Sequence, residues 1–143
     1  MIPVARNSPG TVLVVEDDDD LRGALADILL EEGYDVVDAA HGAAALDLLR
    51  GSRDFCAILL DMRMPIMGGV EFRRAQLRDP RLSSIPVVLF SADARDREEA
   101  ERLGTAGSLS KPVDILQLLE AVAALCGDPD RMDLASERKT ARG

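Results

Sequence analysis

Five polar residues follow short apolar runs in this chain: Glu16 and Asp17 after TVLVV, Asp61 after AILL, Ser91 after PVVLF, and Lys111 just past Ser108 and Leu109. Three carboxylates, a hydroxyl and an ammonium form a set able to handle a phosphoryl group. Ionised carboxylates cannot crowd together without a counter-charge. A hard divalent cation supplies one, and Mg2+ suits a site with few carboxylates, some waters and a phosphate oxygen. With such an ion bound, one carboxylate can attack phosphorus as a nucleophile. The hydroxyl and the ammonium would then hold the transferred oxygens.

These residues meet only if the runs before them are strands sharing one direction. Residues 11–15 form a continuous apolar run, as expected of a strand buried on both faces. Residues 21–31 carry Leu21, Leu25, Ile28 and Leu29 on one helical face, with Asp18 to Asp20 at the start, where carboxylates favour the helix dipole, and Gly33 at the end. The same reading gives strands over 34–38, 57–60, 86–90 and 108–109, and helices over 43–50, 70–78, 95–103 and 115–125. Gly51 stops the second helix and Asp79-Pro80 the third, while Pro86 is tolerated at the first position of a strand. The helix over 95–103 is very polar, anchored mainly by Ala100 and Leu103. Five β–α units in strict alternation imply a parallel sheet with helices on both faces, and ligands of such sheets bind beyond the carboxyl ends of the strands. The chain divides into an N-terminal extension (1–10), one domain (11–126), and a linker or disordered tail (127–143) with four acidic and four basic residues.

At 143 residues there is room for one domain with a real core, built from Val, Leu, Ile and Ala because only 3% of residues are aromatic. A net charge of −9 argues against nucleic acid as a direct partner and against an anionic membrane surface. The first ten residues are no signal peptide, and no stretch nears the roughly 18 apolar residues of a membrane span. A soluble cytoplasmic protein is expected. Cys56 and Cys126 match no metal spacing and are read as buried thiols in a reducing cytosol.

The segments LVVEDDDDLR, LLDMRMPIMGG, VVLFSAD and SLSKP, in that order and each at a strand end, resemble the four signatures of the response-regulator receiver domain. The resemblance covers roughly residues 11–125. It implies an α/β, flavodoxin-like, doubly wound sheet of five parallel strands in order 2-1-3-4-5 with five helices. It also implies a two-component phosphorelay switch that is not an enzyme, catalysing only its own phosphorylation and dephosphorylation. Asp61 matches the phosphoacceptor. Asp17 matches the direct Mg2+ ligand and Glu16 one acting through water, with the main-chain carbonyl of Arg63 as a further ligand. Ser91 matches the switch hydroxyl. Lys111 matches the phosphate-binding lysine, with a cis bond to Pro112 that an X–Pro pair tolerates. Pro65 and Gly69 match the turn after the acceptor. The implied partners are a sensor histidine kinase or histidine phosphotransfer protein upstream and a protein target on the 91–111 face downstream.

The chain departs from the family pattern in places. Ser108 stands where receivers usually carry Tyr or Phe, Gly68 where an acidic residue often stands, and the acidic pair and last-helix Arg of one common dimer mode are missing. With no ring at 108, the helix over 95–103 is expected to move on phosphorylation. Arg63 and Asp93 are expected to pair across the site mouth and hinder attacking water. Asp18 to Asp20 are read as a helix-capping charge run, His41 as an exposed loop residue, and Met64 and Met67 as packing. Two other functions compete with this one: a pseudo-receiver that never takes phosphate, and a haloacid-dehalogenase-type phosphatase. The phosphatase needs Thr or Val soon after D-x-D, where Asp17-x-Asp19 continues Asp20-Leu21.

Overall fold

A computed structural model describes residues 10–51 and 53–129. Most of the expected extension and tail therefore lies outside the described residues. Strands β1 (Thr11–Val15), β2 (Asp35–Ala39), β3 (Phe55–Asp61), β4 (Val87–Ser91) and β5 (Gly107–Ser110) alternate with helices α1 (Asp19–Glu31), α2 (Gly42–Leu49), α3 (Gly69–Arg78), α4 (Ala94–Arg102) and α5 (Ile115–Cys126). All pairings are parallel, in the order β2-β1-β3-β4-β5. The expected elements are all present, with ends shifted by a residue or two.

The apolar runs are continuous because the central strands bury both faces, and successive side chains alternate between them. Leu13, Val15, Ile58, Leu60, Val87 and Leu89 meet α2, α3 and α4 through Leu46, Leu49, Phe72 and Ala100. Val12, Val14, Ala57, Leu59, Val88 and Phe90 meet α1 and α5 through Leu25, Leu29, Leu118 and Val122. Helix α4 buries only Ala100, as its polar sequence requires. Asp18 caps α1 by accepting from the amides of Asp20 and Leu21, which bears out the capping role of that acidic run. Met64 and Met67 pack partly buried against the α2–α3–α4 core.

Two expectations are corrected. His41 is half-buried and caps α2, its Nδ1 accepting from Ala44 N at 3.2 Å. Cys56 and Cys126 are not free thiols but a disulfide, with Cα atoms 5.3 Å apart. Cys56 is the second residue of β3, at the amino edge of the sheet, and Cys126 ends α5, which runs back to that edge. Parallel β–α winding thus joins positions that 70 residues of sequence keep apart.

Closing a loop of 70 residues constrains the unfolded chain. Reduction, or Cys126→Ser, is expected to lower stability by about 2–4 kcal/mol, read from urea unfolding with and without dithiothreitol. An unchanged midpoint, or two alkylated cysteines in the unreduced protein, would refute the bond.

Candidate functional site

The register brings the polar strand ends together. Val15 pairs with Leu60, Asp61 with Phe90, and Ser91 with Ser110, so Glu16, Asp61 and Ser91 leave adjacent strands almost level. Backbone bonds extend the pairing at the edge: Glu16 N donates to Ala39 O at 3.1 Å, Met62 N to Phe90 O at 3.1 Å, and Lys111 N to Ser91 O at 2.9 Å. The Lys111–Pro112 peptide is cis.

Glu16 and Asp61 are buried, and their carboxylate oxygens lie with one from exposed Asp17 inside 4.8 Å. Lys111 reaches in, its Nζ 3.0 Å from Glu16 Oε1 and 3.3 Å from Asp61 Oδ2. The same ammonium stands 5.3 Å from the centroid of Phe90. Asp61 Oδ1 accepts from Arg63 N at 3.2 Å. Glu16 Oε2 accepts from Asp18 N at 3.1 Å, but Oε1 is fully enclosed without a well-directed hydrogen bond, despite the nearby ammonium. Arg22 closes the far side, donating to Glu16 O at 2.9 Å and to Asp19 at 2.6 Å. Asp19 is thus spent on a helical ion pair, contrary to a phosphatase D-x-D role.

Burial pushes the Glu16 carboxyl up to about 7, helped by the neighbouring Asp61 carboxyl and opposed by the Asp18 amide and Lys111. Burial works against a charged Lys111, yet Glu16 and Asp61 outweigh it and hold the ammonium above its ordinary pKa. Three carboxylate oxygens within 4.8 Å of one another, one of them enclosed and poorly bonded, fit a hard divalent cation.

The turn after Asp61 is sterically tight. A Cβ on Gly69 would lie 2.9 Å from Met62 Cα and 3.0 Å from Asp61 O, so only glycine lets α3 start this close to the acceptor strand. A Cβ on Gly68 would make only ordinary contacts. Ile66 sits in the left-handed region at φ 72 and is 78% exposed.

Ser91 is buried at the end of β4, but its hydroxyl donates to Asp96 in the first turn of α4, while its Oγ accepts from Asp93 N at 3.1 Å. Arg63 does face Asp93, at 3.4 Å, as expected. Its stronger partner is Asp96, gripped through Nε at 3.0 Å and Nη2 at 3.1 Å. Asp93 belongs mainly to Arg95, whose hydrogen bond holds its carboxyl down at about 2. Asp96 is the site residue the sequence reading missed. A second missed group is Arg73, buried in α3, which donates to Leu103 O and Gly104 O at 3.1 Å and to Gln76 at 2.7 Å.

A doubly wound α/β domain with an acidic, lysine-bearing site at the carboxyl edge is the class that fold and site define. The family model for the response regulator receiver domain matches residues 12–123, and the chain belongs to that family. It is similar to the polar-differentiation response regulator DivK of Brucella anthropi, 30% identical over 84% of this chain and 98% of the relative. The chemotaxis protein CheY4 of Vibrio cholerae superposes with a TM-score of 0.75 at 29% identity, over 81% of this chain and 98% of that one. The receiver domain of a Pseudomonas aeruginosa sensor histidine kinase, with a magnesium ion coordinated in its active-site cleft, gives 0.75 at 26% identity, over 82% and 98%. The chain is therefore a two-component signalling domain, not a conventional enzyme, of a family that works with histidine kinases and downstream targets. No helix among the described residues is long and apolar enough to cross a membrane.

A carboxyl raised from 4.5 to about 7 binds more protons in the folded than in the unfolded state between those values. The stability Glu16 contributes is thus fully present below about pH 4.5 and lost as pH rises through 7. In metal-free protein, Glu16→Gln should remove that loss, gaining on the wild type between pH 5 and pH 8. Urea midpoints in EDTA at both pH values measure it; parallel pH profiles would refute the shift.

Proposed function

We propose that Asp61 is the phosphoryl acceptor, and that this chain switches protein partners when the acceptor is loaded. The observation carrying this reading is the Asp61 carboxylate itself, buried at a strand end 3.3 Å from Lys111 Nζ and beside Glu16 and Asp17. Glu16, Asp17, Asp61 and the main-chain carbonyl of Arg63 would hold Mg2+, which would neutralise charge on the phosphoryl oxygens. An Asp61 oxygen attacks phosphorus, a P–O bond forms as the P–N bond of a phosphohistidine breaks, and the imidazole leaves. Lys111 holds one transferred oxygen by charge and Ser91 another by a hydrogen bond. Water attacking the acyl phosphate releases inorganic phosphate and restores the Asp61 carboxylate, so the chain would catalyse only its own phosphorylation and dephosphorylation.

The donor is a sensor histidine kinase or a histidine phosphotransfer protein, and the output is a protein bound on the 91–111 face. Net charge −9 favours a protein over nucleic acid there. A cytoplasmic location belongs to the same proposal.

Labelling with a phosphorylated histidine donor or a small acyl phosphate should require Mg2+ and vanish in Asp61→Asn. Undiminished labelling of that variant would sink the acceptor assignment, and an unlabelled wild type would leave a pseudo-receiver. Phosphate lifetime is a separate test. Arg63 stands two residues past the acceptor, tied to α4 across the mouth, and there it hinders in-line water. Replacing Arg63 and Asp93 together by Ala should shorten the half-life of phospho-Asp61 several-fold, followed by loss of label after donor removal. An unchanged or longer half-life would remove the shield.

A further inference from the structure

Asp96 takes no part in the chemistry above, yet it holds the hydroxyl that chemistry needs. Its side chain is 12% exposed, and Arg63 grips both its oxygens. One of those oxygens also accepts the Ser91 proton. A serine hydroxyl has a single proton to donate, so Ser91 cannot serve Asp96 and a phosphoryl oxygen at once. The hold is charge-assisted and seated in a partly enclosed site, which makes it strong among hydrogen bonds.

We propose that Asp96 is a positioning residue for the switch: it keeps the Ser91 hydroxyl turned to α4 until an acyl phosphate on Asp61 accepts its hydrogen bond instead. The proposal rests on Asp61 as acceptor. Loading then breaks the Ser91–Asp96 bond, and the first turn of α4 loses a tie to β4. The other end of α4 stays fixed, because Arg73 ties the Leu103 and Gly104 carbonyls to α3. Ala100 is the single buried residue between the ends. The helix therefore loosens at residues 93–97, where Arg97 also reaches Ser110 on β5 at 2.9 Å.

Beryllofluoride with Mg2+, a mimic of the phosphoryl group, probes the competition on the full chain. Asp96→Ala should bind it about tenfold more tightly than wild type, because no charge-assisted bond must be broken first. Asp96→Asn should fall between, since an amide oxygen accepts without the charge. In a Ser91→Ala background, Asp96→Ala should change nothing. A gain that persists without Ser91 would mean general charge repulsion and would overturn the proposal, as would unchanged affinity in a folded Asp96→Ala. The resting hold is read without any phosphoryl mimic as a slowly exchanging Ser91 hydroxyl proton in NMR, present in wild type and lost in Asp96→Ala. If that proton is absent from the wild type, or survives in the variant, the proposal fails. Failure of wild type to bind beryllofluoride while the hydroxyl result holds would fault the acceptor reading instead.

Discussion

Carboxylate crowding at the sheet's carboxyl edge governs this molecule. Oxygens of three acidic groups lie within 4.8 Å, and the two groups cut off from water, Glu16 and Asp61, share one ammonium. Left alone, such a cluster takes up protons, as the raised Glu16 carboxyl does. It becomes useful when a cation and a phosphoryl group bring charge of both signs into it. The neighbouring groups limit this strain: the Asp18 amide and Lys111 meet Glu16, the Arg63 amide meets Asp61, and Arg22 fixes the Glu16 carbonyl.

A parallel sheet answers that constraint well. Its central strands bury both faces and so cannot shift register without exposing apolar side chains. The strand ends are accordingly rigid, and polar groups placed at them or one residue beyond stay level. The loops need local permission to turn so close to the site. Gly69 grants it after Asp61, where a Cβ would strike the Met62 backbone.

Much of this was legible in the sequence because it rests on short-range pattern. Buried strands read as apolar runs, the first helix start as the run from Asp18, and the site as whatever follows each run. The misses share one physical cause. The Cys56–Cys126 bond spans 70 residues, Arg73 reaches backbone carbonyls 30 and 31 residues away, and Arg63 reaches Asp96 across 33. No periodicity encodes such contacts; only the finished winding of the chain makes them neighbours. His41 was misjudged for another reason, since its Nδ1 can accept an amide hydrogen bond, as the side-chain oxygens of Ser or Asp do at other helix starts.

Ser108 limits how such a site can signal. It is exposed on β5 and offers no ring to follow a moving hydroxyl. A switch built without that ring cannot transmit its state by filling an apolar cavity. It can do so by exchanging hydrogen-bond partners, and the first turn of α4 has the groups for this: Asp93 and Asp96 face Arg63, and Ser91 lies between strand and helix. The same polarity that leaves α4 with one buried residue therefore suits it to signalling. A helix held by a well-packed apolar face would resist the loss of one hydrogen bond, whereas one held chiefly by polar ties at its ends responds to it. The polar composition of α4 and the missing aromatic are in this sense one feature of the sequence, not two.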